Sequence, residues 1–225
     1  MKKSICAVAL AAVAGHSAAS LTVTEAYTGL AGEDGTADWF EVTNTGASNI
    51  DTGVYLYDDS SADIFEAVAL PSLMLAPGES AIILLEGAAS DDVTFPGATG
   101  ALDEFDAIWG AGITRGLTIG DGAGLGNGGS DTVNLFLGGS VVESFTYQTP
   151  QAGLLQTIED GPNAIRNSVL GENGAFESAS FFNDNLNLPN DTATLVGSPG
   201  FSNIPAPAAL AVLGVGALAG VRRRR

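Results

Sequence analysis

Carboxylates are the most plentiful ionisable groups in this chain, so any chemistry begins with them. Asp58-Asp59 with Asp63, the pair Asp91-Asp92, and Asp103, Glu104 and Asp106 are dense enough to suggest oxygen cages for a hard cation. The stretch from Gly120 to Asp131 (GDGAGLGNGGSD) looks superficially like a calcium-binding glycine-aspartate repeat. It occurs once and lacks strict spacing, so a flexible loop is the simpler reading. Two carboxyls at the right separation would make a glycosidase pair, but nothing in the spacing selects one. Gly124 to Gly129 is no phosphate cradle, because no Lys follows and no helix pattern begins there. No catalytic residue, cofactor-binding residue or metal ligand is assigned. Calcium is the one cofactor the acidic loops leave open.

The other reactive side chains sit near the start. The only Cys is Cys6 and the only His is His16, and both fall in a segment that reads as a signal peptide. Lys2-Lys3 form its charged region, Ile5 to Ala14 its apolar region, and Ser17-Ala18-Ala19 its small-residue cleavage site. Cleavage is expected after Ala19 or one residue later, after Ser20. Cys6 lies at the start of the apolar region rather than after it, so it is no acylation site. Residues 1–19 would be removed by signal peptidase, and thiol and imidazole chemistry would leave with them.

The far end carries a second signal. Pro205-Ala206-Pro207 is followed by an apolar run from Ala208 to Val221 and by Arg222-Arg223-Arg224-Arg225. Four arginines resist crossing hydrocarbon and mark the cytoplasmic side, which places everything before Ile204 across the membrane. The 14-residue run gives a helix of roughly 21 Å, short of the ~30 Å hydrocarbon core. It is also rich in Ala and Gly. A permanent anchor is usually longer and greasier, although an ordinary single-pass anchor remains the alternative. The order Pro-x-Pro, short apolar helix, Arg cluster resembles the PEP-CTERM sorting signal of bacterial envelope proteins, with Ala206 where the family name has glutamate. The resemblance implies a membrane-embedded protease of the exosortase type that cuts near Pro205-Ala206-Pro207. The expected organisation is a signal peptide at 1–19, a body at 21–203, and a sorting signal at 204–225 with its transmembrane helix at 208–221.

Without the two ends, the body keeps two basic residues, Arg115 and Arg166, against all 26 acidic ones, a formal charge near −24. Two arginines cannot neutralise a phosphate backbone, so nucleic acid is an unsuitable partner. Such a surface repels itself, and salt or divalent cations should relieve it.

The body reads as β. Leu21–Tyr27, Trp39–Asn44, Gly53–Tyr57, Ala81–Leu85, Thr132–Leu137 and Val141–Tyr147 are predicted strands, separated by turn signals at Asn44-Thr45-Gly46, Pro77-Gly78 and Gly138-Gly139. The last of these predicts a hairpin. One short helix is predicted at Leu102–Trp109, within a crossover. In an extended strand Phe40 and Val42 share one face and point to the core, while Trp39 lies on the Glu41 face and is expected to cover an edge. The predicted core is Phe40, Val42, Leu56, Ile83, Leu85, Leu135 and Phe145, with the terminal helix standing apart. Many short strands with Gly and Asn turns imply an antiparallel β-sandwich.

Several motifs fall in a telling order. Asp38 to Gly46 (DWFEVTNTG) precedes Ile50 to Asp58 (IDTGVYLYD), then comes Leu75-Ala76-Pro77-Gly78-Glu79, then Asn127 to Leu135 (NGGSDTVNL), then Gly197 to Asn203 (GSPGFSN). Together they resemble the lamin-tail domain, an immunoglobulin-like sandwich of nuclear lamins and many bacterial exported proteins. Ser130 is inserted in the "G-D" step and Ser198 replaces the usual Thr. The resemblance implies a non-catalytic interaction or structural module at the cell surface or in the extracellular matrix, with exopolysaccharide or other envelope proteins as partners. A secreted carboxylate-pair hydrolase and a polysaccharide-binding sandwich are the alternatives. Asn44 and Asp51 are expected to be turn formers that satisfy loop amides, and Pro77-Gly78 a turn with Gly at positive φ.

Overall fold

The computed structural model describes residues 20–29, 36–85, 97–120, 124–126, 129–148, 155–160, 164–183 and 189–202. The signal segment through Ala19, the pair Asp91-Asp92 and the whole tail from 203 to 225 lie outside the described residues. Among the described residues, no helix is long and apolar enough to cross a membrane.

The protein is mostly β, with several sheets and one α-helix among the described residues. In chain order the first strands are β1 (Leu21–Tyr27), β2 (Trp39–Asn44), β3 (Ile50–Asp51), β4 (Leu56–Asp58), β5 (Val68–Ala69), β6 (Met74–Leu75) and β7 (Ser80–Leu84). Then come α1 (Ala101–Trp109), β8 (Arg115–Leu117), β9 (Ser130–Leu137), β10 (Ser140–Gln148), β11 (Ile158–Asp160) and β12 (Ile165–Asn167). The last short strands are β13 (Phe176–Glu177), β14 (Phe181–Phe182), β15 (Thr192–Ala193) and β16 (Val196–Gly197). Six strands form one sheet in the order β12-β11-β1-β2-β7-β8, and four form another in the order β10-β9-β4-β5. All pairings in the larger sheet are antiparallel except β7 with β8, which run parallel and are joined through α1. That helix is the crossover the sequence predicts. A parallel return needs such an element, because a tight turn can only reverse the chain.

Two apolar clusters explain why the larger sheet is buried on both faces. Phe40, Val42, Ala81, Ile83 and Leu85 from this sheet meet Tyr57, Val133, Leu135, Phe145 and Tyr147 from the four-stranded sheet in one core. Trp39, Ile82 and Leu84 point the opposite way, and join Phe105, Ile108 and Trp109 of α1 in a second core. A sheet covered on both sides needs strands that are apolar throughout rather than alternating, which is why β7 reads as a continuous run.

Three expectations need correction. Leu56 is only half-buried, and Tyr57 takes its place with no exposed surface. The predicted strand Gly53–Tyr57 is instead a 3-10 turn at Thr52–Val54 followed by β4. The side chain of Asp51 starts that turn by accepting from Gly53 N, and this shifts the inward face of the strand by one residue. Trp39 does not cover an edge. It is fully buried under α1, edge-on to Phe105 and Trp109 at about 6 Å between ring centroids.

The turn residues behave as expected. Asn44 accepts from Gly46 N and donates to the carbonyls of Ser48 and Leu75. Gly78 has φ +81°, and Gly138-Gly139 close the β9–β10 hairpin. The helix begins at Ala101, one residue before its expected start.

Candidate functional site

The most unusual chemistry lies inside the larger sheet. β1 does not alternate cleanly, because its register with β2 shifts between Val23 and Glu25. Such a bulge turns one residue out of step, so Thr24 and Glu25 both reach the face away from the main core. Glu25 then stands opposite Glu41 of β2 on one side and Glu159 of β11 on the other. All three are at most 3% exposed. The row continues outward to Arg166 of β12, opposite Glu159, and through Ile82 of β7 to Arg115 of β8. One line across six strands therefore reads Arg, Glu, Glu, Glu, Ile, Arg.

Buried carboxylates are tolerable only when paired or hydrogen-bonded, and each of these has its partners. Glu159 accepts from Arg166 Nε at 2.9 Å and from Asn173 Nδ2 at 3.0 Å. The other end of the Arg166 guanidinium meets Glu172 at 2.8 Å. Glu25 accepts from the hydroxyls of Thr157 and Ser168. Glu41 Oε1 lies 2.5 Å from the Thr24 hydroxyl, which continues to Thr43 at 3.1 Å and from there to Ser80 at 2.7 Å.

The remaining donors come from the segment Ser198–Ser202, which crosses the row as a strap. Ser198 N donates to Glu25 Oε1 at 2.8 Å, and the Ser198 hydroxyl donates to Oε2 at 3.1 Å. Gly200 N donates to Glu41 Oε2 at 2.6 Å, and Phe201 N donates within the strap to the Ser198 carbonyl at 2.9 Å. Two glycines make this approach possible. A Cβ on Gly197 would lie 2.7 Å from Thr157 and 2.9 Å from Trp109, and Gly200 has φ +84° with Ile113 at 3.2 Å. The closing Gly-Ser-Pro-Gly motif is thus a strap that reaches two buried acids.

Burial dominates the electrostatics. Loss of water pushes the Glu25 carboxyl up to about 7, against the pull of the Thr157 and Ser198 hydrogen bonds, with the charge of Glu159 adding to the rise. Glu41 is held well above the usual carboxylate range by burial first and by the neighbouring Glu25 second. A small cleft opens beside the strap between Glu159, Asp160, Asn173 and Phe201.

The described acids singled out by density are placed elsewhere, and the structure does not bring the separate clusters together. Asp58 accepts from the Ser61 hydroxyl and from Asp63 N, both at 2.6 Å. Asp59 and Asp63 accept from Ser61 N and Phe65 N. Asp103, in the first turn of α1, accepts from the Thr99 amide and hydroxyl ahead of the helix, and Asp106 pairs with Arg115. In the glycine-rich stretch, Leu125 N donates to Asp38 at 2.7 Å and Gly126 N to Asp131 at 2.5 Å, so two carboxylates pin the loop. Among the described residues, no group of three or more His, Cys, Asp or Glu is placed to hold a metal ion. Of the cleavage and sorting residues, only Ser20 is described. It is exposed, and its carbonyl accepts from Thr45 N ahead of β1. Ala19, Pro205, Ala206, Pro207 and the arginines from 222 to 225 lie outside the described residues.

Density was the wrong signal for the buried row. Clustered acids such as Asp58, Asp59 and Asp63 satisfy their own turns, whereas isolated glutamates in otherwise apolar strands are paired across the sheet. The readable clue was a single Glu within each of LTVTEAY and WFEVTN, flanked by threonines able to donate. No family model, curated protein or solved structure matches this chain.

Proposed function

We propose that this chain is an exported, non-catalytic module of the cell surface or extracellular matrix. Its body, 21–203, is an immunoglobulin-like sandwich of the lamin-tail type, and 204–225 is a PEP-CTERM-type sorting signal in its Pro-Ala-Pro variant. Signal peptidase removes the first 19 residues, and an exosortase-type protease cuts near Pro205-Ala206-Pro207 after the helix 208–221 has held the chain briefly in the membrane.

The observation that carries the non-catalytic reading is how the carboxylates are spent. Asp58, Asp59, Asp63, Asp103 and Asp131 are committed to nearby amides and hydroxyls. The cross-strand carboxyl pair, Glu25 and Glu41, is roofed by the strap rather than opened to a substrate. A hydrolase of the two-carboxylate kind needs its pair accessible to a sugar ring and a water. The architecture lends further support, since two sheets share one core and the motif residues Asn44, Asp51 and Gly78 hold its loops. The acidic surface would then make the contacts with exopolysaccharide or other envelope proteins.

The intact mass of the protein recovered from the cell surface tests this. A species that starts near Ser20 and ends near Pro205–Pro207 is expected. Recovery mainly with Arg225 attached would replace the sorting signal with a permanent anchor.

A further inference from the structure

We infer that Glu25 and Glu41 form a carboxyl pair that retains a proton on Glu41 and latches the Ser198–Ser202 strap to the centre of the larger sheet, and that loss of this proton releases the strap. The geometry sets the argument. The two residues are direct cross-strand neighbours, where like charges are destabilising. Neither reaches water, at 1% and 0% exposure. Two bare carboxylates in such a place cannot both persist, and sharing a proton is the common resolution.

The donor inventory says which one keeps the proton. Glu25 is met by Ser198 N, the Ser198 hydroxyl and the hydroxyls of Thr157 and Ser168, a set suited to an anion. Glu41 Oε2 receives the Gly200 amide, which leaves Oε1 against the single hydroxyl of Thr24. A hydroxyl can accept as well as donate. With the proton on Oε1, Glu41 donates to Thr24, Thr24 to Thr43 and Thr43 to Ser80, so each hydroxyl passes one donor along the same direction. Burial and the neighbouring Glu25 also hold the Glu41 carboxyl well above the usual glutamate range, in keeping with this assignment.

Among the described residues, the charged groups around the pair leave no other counter-ion. From β11 comes Glu159, already matched by Arg166 of β12, which also holds Glu172. From β7 comes Ile82, and beyond it Arg115 is tied to Asp106 of α1. The strap itself carries no ionisable side chain. Lifting the strap would give both carboxyls water and return them toward ordinary acidity. Opening therefore releases protons, and becomes about tenfold easier per pH unit for each proton released.

Amide hydrogen exchange on the full chain tests the latch. Protection of the Gly200 amide, corrected for intrinsic exchange, is expected to fall at least about tenfold between about pH 6 and about pH 9. In Glu41→Gln, whose amide mimics the protonated acid, protection should persist across that range. Flat wild-type protection, or a Gln variant that loses protection as the wild type does, overturns the proposal. Should the variant fail to fold, carbon NMR titration of the wild-type glutamate carboxyls decides. A Glu41 carboxyl that stays protonated at about pH 6 and ionises as the strap loses protection upholds the latch, and any other order refutes it.

Discussion

Arg166 and Arg115 occupy the same cross-strand row of the larger sheet, one on each edge strand, with three glutamates and one isoleucine between them. They are the only basic residues between Leu21 and Ile204. In a body carrying so much negative charge, both available cations are committed to this one line. Their roles are unequal. Arg166 faces a carboxylate that is almost fully buried, whereas Asp106, the partner of Arg115, is about a quarter exposed.

Replacing Arg166 with Gln is therefore expected to lower stability more than replacing Arg115 with Gln. The first change strands Glu159 without its counter-ion in a low-dielectric site, while the second leaves Asp106 within reach of water. Urea unfolding should show the larger drop in midpoint for Arg166→Gln with the slope unchanged. Equal drops would mean that Glu159 finds water by another route.

The folded body should be more stable on the acid side of neutrality than on the alkaline side. Glu25 and Glu41 have folded-state affinities for protons above the unfolded values, and Glu143 and Asp160 shift the same way through burial. Groups of this kind contribute fully below the ordinary glutamate range near 4.5, and lose their contribution as pH rises through the folded value, about 7 for Glu25, with Glu41 also raised well above that range. Thermal melts at constant ionic strength are expected to show Tm falling steadily from about pH 5 to about pH 9. Relief of general repulsion at low pH acts in the same direction, so Glu41→Gln serves as the control and should flatten part of the slope.

Sodium chloride should stabilise the body, because many like charges lie closer than the ~10 Å screening length at 0.1 M salt. The described acidic loops spend their carboxylates on backbone amides. Calcium at matched ionic strength is accordingly expected to give the same Tm as sodium. A calcium-specific rise would reveal an oxygen cage, and ligand linkage puts its size at about 2.7 kcal/mol when calcium stands a hundredfold above its Kd.

Tyr57→Ala should cost more than Leu56→Ala. Tyr57 is fully buried with its ring 5.0 Å from that of Phe40, while Leu56 is only partly covered. Emptying a buried aromatic site costs about 3–5 kcal/mol, and truncating the half-exposed leucine should cost less than about half of that. Equilibrium denaturation of the two variants makes the comparison directly.

The exchange of these two residues shows where sequence reading reaches its limit. β1, β2, α1 and the β9–β10 hairpin were legible, because apolar spacing and Gly-Gly chemistry act locally. Leu56 was misplaced because a short 3-10 turn, started by Asp51 accepting from Gly53, advances the chain by one residue and swaps inside for outside. Alternation gives the face of Trp39 but not its surroundings, since no local pattern reports that α1 folds over that face. The buried row was hidden for a related reason. Its five charged members are spread from Glu25 to Arg166, and only strand pairing and the bulge in β1 bring them into line.

The strap also decides how the body meets a mechanical load. Its bonds run to Glu25 on β1 and Glu41 on β2, the two middle strands of the six. Tension arriving through the chain beyond Ser202 enters the fold at its centre instead of peeling an edge strand away. A domain tethered by that end would share the pull among several ladders at once, and would yield by losing the strap before any strand separates.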